Sequence, residues 1–190
     1  MSKTNPNNLR YLSIIAVFSA LQAAVHISMG PWLIIPAVPA STLMFLAFPC
    51  AFLASATYIF SDYRQGAVGL SLLIGGIIAF LAVGFLPVLF QFIFAAGLSE
   101  AVIAAFKKFK KSRAFFLGLG LAVMLGRGLG FMAGLTIFLP AVAMKSLYTA
   151  LGLILFFGFS VVVSMAIGGI GSLASFEAFR RFRGVEREIS

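Results

Sequence analysis

Long apolar stretches recur along this chain at near-regular intervals, with only short connections between them. Each approaches or exceeds the roughly 20 residues a helix needs to cross the hydrocarbon core of a bilayer. A helix satisfies all of its backbone polar groups internally, which is the condition for lying in lipid. The stretches are 12–28, 41–60, 67–85, 88–106, 115–139 and 146–176, and they leave no room for a separate soluble domain. The expected architecture is an all-α integral membrane protein, a single six-transmembrane-helix bundle spanning 1–190. Only 10% of the residues are charged, against about 25% in soluble domains, and 62% are hydrophobic.

Punctuation between the stretches sharpens this layout. Met29-Gly30-Pro31 stops the first span, and Pro36 and Pro39 keep 32–39 from being regular helix, so it reads as a capping loop. Pro49 predicts a kink in the second span, Leu86-Pro87 a turn between the third and fourth, and Pro140 the end of the fifth. The sixth pattern continues as far as Phe179, longer than a bilayer requires, so its end is expected to project into the cytoplasm. Lys3 and Arg10 before the first apolar run resemble the start of a signal peptide. The weak cleavage motif at Ala37-Val38-Pro39-Ala40 lies too far beyond that run, and an uncleaved first span is the simpler reading.

The net charge of +9 is a matter of topology and not of nucleic-acid binding. On the six-span layout one side carries Lys3, Arg10, Arg64, Lys107, Lys108, Lys110, Lys111, Arg113, Arg180, Arg181, Arg183 and Arg187, which is 12 of the 14 basic residues. Lys145 alone lies on the other side, and Arg127 falls inside a span. The positive-inside rule then puts both termini in the cytoplasm. Cys50 and His26 are single in the sequence, so neither a disulfide framework nor a multi-thiolate metal site is expected, and no cofactor is implied.

Charges inside spans cost about 2.5–3.5 kcal/mol each near the bilayer centre and call for a reason. Arg127 lies about 21 Å along a helix from Arg113, in the outer half, while Glu100 lies about 10 Å from the cytoplasmic end of the fourth span. A direct bridge between them would need tilt or long side chains. Each reads either as a polar contact fixing the bundle or as a functional group. Gln22 and His26, four residues apart, share one face of the first span. Trp32, Gln91, Arg127 and Lys145 also fall toward the outer side. Singly, Trp32 is an interfacial anchor and Lys145 a snorkelling helix end. Their common depth points to a substrate pocket of Gln22, His26, Trp32, Gln91, Arg127 and Lys145, suited to a small molecule bearing negative charge or several acceptors.

Small residues form three ladders at intervals of four. Ala16, Ala20 and Ala24 lie on the first span, about 160° around the helix from the Gln22 face. Gly118, Ala122, Gly126, Gly130 and Gly134 lie on the fifth, and Ser160, Ser164, Gly168 and Ser172 on the sixth. Such ladders let helices approach closely in lipid. The second and third are expected to pack the bundle, and the alanines are free to dock a partner.

The alanine stripe, the six-span layout with basic residues inside and the long first loop together resemble the substrate-binding S components of energy-coupling factor (ECF) transporters. In that family an Ala-x-x-x-Ala signature in the first helix faces the transmembrane coupling subunit. Pro140-Ala-Val-Ala-Met-Lys145 is similar to the Pro-x-Asn/Asp-x-x-Lys element of riboflavin- and biotin-type members. Val142 stands where those members carry Asn or Asp, so the element names neither molecule as the substrate. The resemblance implies a multi-pass protein of a prokaryotic cell membrane that binds a vitamin-like molecule without catalysis. Its partners would be the coupling subunit and, through it, two cytoplasmic ABC ATPases. The chain has no phosphate-binding loop of its own.

The alternative is a self-sufficient ion-coupled secondary transporter using Glu100 and Arg127. Internal repeats would favour it, and the halves show no convincing repeat. A membrane enzyme is the third class, and with one His, one Cys and one Asp the usual nucleophile and metal constellations are missing.

Overall fold

The computed structural model describes the backbone of residues 6–29, 41–138 and 150–189, with side chains over 8–28, 43–137 and 157–180. Among these residues the protein is entirely helical. The helices are α1 (Pro6–Met29), α2 (Ser41–Phe60), α3 (Ala67–Val83), α4 (Leu86–Ala105), α5 (Arg113–Phe138) and α6 (Ala150–Ile189), with a short 3₁₀ turn at Lys107–Phe109. Five of them, all but α3, are long and apolar enough to cross a membrane. The expected capping loop at 32–39 and the segment 139–149 lie outside the described residues.

The helix ends differ from the expected ones in ways local chemistry explains. The first helix already includes Pro6, six residues before the expected start of the span, and extends to Met29. The third stops at Val83, short of Phe85. Gly84 adopts a left-handed φ of 69° and its N–H closes back on the Phe80 carbonyl at 2.7 Å, a glycine C-cap. Pro87 then lies in the first turn of α4. The second helix runs unbroken through Pro49. The sixth spans 40 residues, about 60 Å or twice a hydrocarbon core.

The helices pack in a closed ring in the order α1, α3, α4, α5, α6, α2, and α2 also touches α3 and α5 across the middle. Small residues set the close approaches. A Cβ added at Gly126 would lie 2.5 Å from Ala95 Cα, and one at Gly134 would lie 2.6 Å from Pro87 Cα, so the α5 ladder is where α4 seats. Gly120 and Gly168 face one another between α5 and α6. Ser172 donates to the Phe116 carbonyl across that interface. At the junction of α2, α5 and α6 an aromatic cluster of Tyr58, Phe115, Phe116 and Phe176 closes the core, with ring centroids 4.6–6.3 Å apart.

The first helix is the exception to this packing. Only 28% of its membrane-length window is buried, against 61% for α2 and for α5. Ala16, Ala20 and Ala24 are all exposed, together with Leu12, Val17 and Leu21, whereas Ile15, Ser19, Gln22, Ala23 and His26 are buried. The two faces anticipated from the spacing are therefore present.

Candidate functional site

Arg127 is the largest fully buried side chain described, at 0% exposure. Two glycines explain how α4 comes near enough to meet it. Gly130 lies three residues along the same face of α5, and a Cβ there would come within 2.7 Å of Gln91 Cα. Gly76 of α3 does the same for Phe92, whose Cγ would lie 2.7 Å from an added Cβ. The α4 backbone at Gln91 and Phe92 is thereby drawn inward from both sides.

Around the guanidinium four groups converge from three helices. Nη2 donates to Gln91 Oε1 at 3.1 Å and meets His26 Nδ1 at 2.9 Å. Nη1 donates to the Cys50 sulfur. The Phe92 ring lies 5.0 Å from the guanidinium carbon, and His26 meets the same ring edge-on at 5.6 Å. A guanidinium can only donate, so His26 Nδ1 accepts, and the imidazole is neutral with its proton on Nε2.

Every one of these partners is uncharged, and Arg127 has no carboxylate partner among the described residues. Its Nε, also buried, has no hydrogen-bond partner among them. A buried charge is ordinarily paired with an opposite one, because neutral dipoles recover only part of its lost hydration. This cluster is therefore electrostatically suited to receiving an anion.

Glu100 does not supply that anion. Its two carboxylate oxygens accept the backbone N–H groups of Gly66 and Gly69, each at 2.8 Å, at the start of α3. There it satisfies donors that the first helical turn leaves open, and it complements the positive end of the helix. Gly69 makes room for it, since a Cβ would lie 2.8 Å from Glu100 Cγ. The direct bridge considered from sequence is not formed, and the difference in depth between the two residues is the reason.

Of the six residues expected in a pocket, the structure brings together His26, Gln91 and Arg127. Gln22 is buried one turn of α1 from His26 but turns to α3, where its Nε2 donates to Ser71 Oγ at 3.4 Å and its Oε1 is without a partner among the described residues. Trp32 and Lys145 lie outside the described residues. Sequence reasoning missed Cys50 and Phe92. One phenylalanine among 22 carries no distinguishing mark, and a lone cysteine was weighed as a redox or metal group but not as a hydrogen-bond acceptor. Among the described residues no group of His, Cys, Asp and Glu is placed to hold a metal ion. Comparison with protein-family models, curated proteins and solved structures finds no match to this chain.

Proposed function

We propose that this protein is the membrane-embedded, high-affinity substrate-binding subunit of an ECF-type ABC importer. In this reading six spans place both termini in the cytoplasm of a prokaryotic cell, and α3 crosses the membrane despite its length. The subunit captures a water-soluble vitamin or related small molecule from outside and performs no catalysis. The pocket is built on His26, Gln91 and Arg127, with Gln22 beside them and Trp32 and Lys145 in the outer connections. A cation held by neutral partners favours a ligand bearing a carboxylate or comparable anionic group.

The observation that carries the proposal is the division of α1. Its Ala16, Ala20 and Ala24 face is exposed while Gln22 and His26 are buried on the other side, so one helix serves both a docking surface and a binding site. In lipid an uncovered ladder of small residues is a surface for close helix approach. The partner is the transmembrane coupling subunit, which links the protein to two cytoplasmic ATPases. A relay through Glu100 and Arg127 has less support, because Glu100 is engaged at the start of α3.

Ala20→Trp tests the docking role. The indole projects from an exposed position, so the variant is expected to fold and to keep its ligand, while co-purification with the coupling subunit is lost. A complex that survives the substitution removes the docking assignment.

A further inference from the structure

A second group of charges lies far from Arg127, where α1 begins and α2 turns into α3. Arg10, Tyr11 and Ile14 from α1, Phe60 at the end of α2, and Asp62 and Arg64 from the α2–α3 turn line an open cleft of about 360 Å³. That volume falls within the range of small-molecule sites. Its polar end carries two guanidiniums against one carboxylate. Arg64 lies over the Tyr11 ring with its guanidinium carbon 4.6 Å from the centroid. A guanidinium carries five N–H donors in a fork that matches a phosphate, and a contact with one ring does not exhaust them.

The cleft is built into a held turn. Asp62 and Tyr63 adopt left-handed φ values of 58° and 59°, a conformation that costs non-glycine residues about 1–2 kcal/mol each. Surrounding contacts enforce it. The Tyr63 N–H reaches the Tyr58 carbonyl at 2.9 Å, and Glu100 clasps Gly66 two residues beyond Arg64 at 2.8 Å. Lys110 and Lys111 lie 5.8 and 5.9 Å from the Tyr63 ring, adding positive charge to the same surface. Arg64 is thus presented by a rigid segment.

The other wall differs. Ile14 lies one turn further along α1 from Arg10, and Phe60 is the last residue of α2, 36% exposed. Both belong to segments long and apolar enough to lie in lipid. A soluble anion would find polar groups at only one end of such a cleft. A molecule with a charged head and an apolar body fits both.

From this geometry we propose that the cleft is a binding site for an anionic phospholipid, its phosphate between Arg10 and Arg64 and its acyl chains leaving over Ile14 and Phe60. Basic pockets at the membrane boundary between helices recognise headgroups in this way. The site is distinct from the Arg127 cluster. Placement in the cytoplasmic leaflet rests on the orientation proposed above, but the cleft's chemistry does not.

The test uses the full chain purified in neutral detergent. It is titrated with phosphatidylglycerol or phosphatidylcholine, and retained lipid is read by native mass spectrometry. Phosphatidylglycerol is expected to bind preferentially, and Arg10→Gln/Arg64→Gln to weaken it roughly tenfold or more, since each basic residue near a headgroup contributes several-fold. Lys107→Gln/Lys108→Gln removes the same charge from exposed residues outside the cleft and is expected to leave binding unchanged. Equal loss in both double variants would reduce the effect to diffuse charge and overturn the proposal. Wild-type binding by Arg10→Gln/Arg64→Gln would overturn it as well. So would displacement of the lipid by inorganic phosphate, which would mark a soluble-anion site. None of these readouts involves the coupling subunit or the transported ligand, so failure here leaves the importer reading untouched.

Discussion

Arg127 and Glu100 show how differently two intramembrane charges can be accommodated. Glu100 meets two backbone donors at 2.8 Å and closes the start of α3. Among the described residues Arg127 meets only neutral groups, and its Nε has no hydrogen-bond partner. If its role were to stabilise the fold, removing it would leave His26, Gln91 and Cys50 as orphaned acceptors with no compensation. Its lost hydration works in the opposite direction, because a buried cation whose described partners are all neutral recovers only part of that hydration, and an apolar side chain of similar length removes the whole cost. Arg127→Met is therefore expected to shift the thermal midpoint by only a few degrees, corresponding to about 1 kcal/mol or less. If the proposed binding role holds, the same change is expected to lower retention of a bound anionic ligand by at least roughly tenfold, the cost of about one charge-assisted hydrogen bond. Native mass spectrometry and a melting curve on one sample read both quantities. A large fall in stability with ligand retained would make Arg127 a structural residue.

At the scale of helices, hydropathy made the number and order of the apolar segments legible. It did not place their ends, which hang on single residues such as the left-handed Gly84. The ladder on α5 was legible as a close-packing face, yet a period of four says nothing about which neighbour fills it. Gly126, Gly130 and Gly134 receive α4, while Gly118 on the same ladder has no atom of the described residues within 4 Å of an added Cβ. Gly120 and Gly128, off the ladder, make close contacts with α6 instead. The site was half legible for a related reason. Residue type marked His26, Gln91 and Arg127, but Cys50 became a partner only through the crossing of α2 and α5. These contacts predict opposite outcomes for one substitution at two rungs. Gly130→Leu would drive a side chain into the α4 backbone at Gln91 and is expected to destabilise by about 3 kcal/mol or more and to lose ligand. Gly118→Leu is expected to be tolerated to within about 0.5 kcal/mol. Denaturation in detergent followed on both variants checks the contrast, and equal destabilisation would contradict the packing of α5 on α4.

For the whole molecule, topology turns on α3. Its 17 residues rise about 26 Å, a few ångströms less than a typical hydrocarbon core. Phe85, 43% exposed just past Gly84, extends the apolar surface at that end. Mismatch of this size costs fractions of a kcal/mol per Å and is absorbed by local thinning or snorkelling flanks. Leaving α3 out of the bilayer would cost far more, since it forms part of the ring between α1 and α4 and its mean composition is strongly apolar. Parity makes the question measurable. If α3 and α4 both cross, the turn at Gln65 and the loop at Lys108 lie on one side of the membrane. If α3 does not cross, they lie on opposite sides. In a Cys50→Ala background, Gln65→Cys and Lys108→Cys are both expected to resist a membrane-impermeant maleimide in intact cells and to react once the membrane is opened. Lys145→Cys is expected to react in intact cells. Labelling of Gln65→Cys and Lys108→Cys from different sides would reduce the bundle to five crossings and send the two termini to opposite faces. The basic residues would then no longer gather on one side, and the docking role proposed for α1 would lose its fixed relation to the proposed cytoplasmic ATPases.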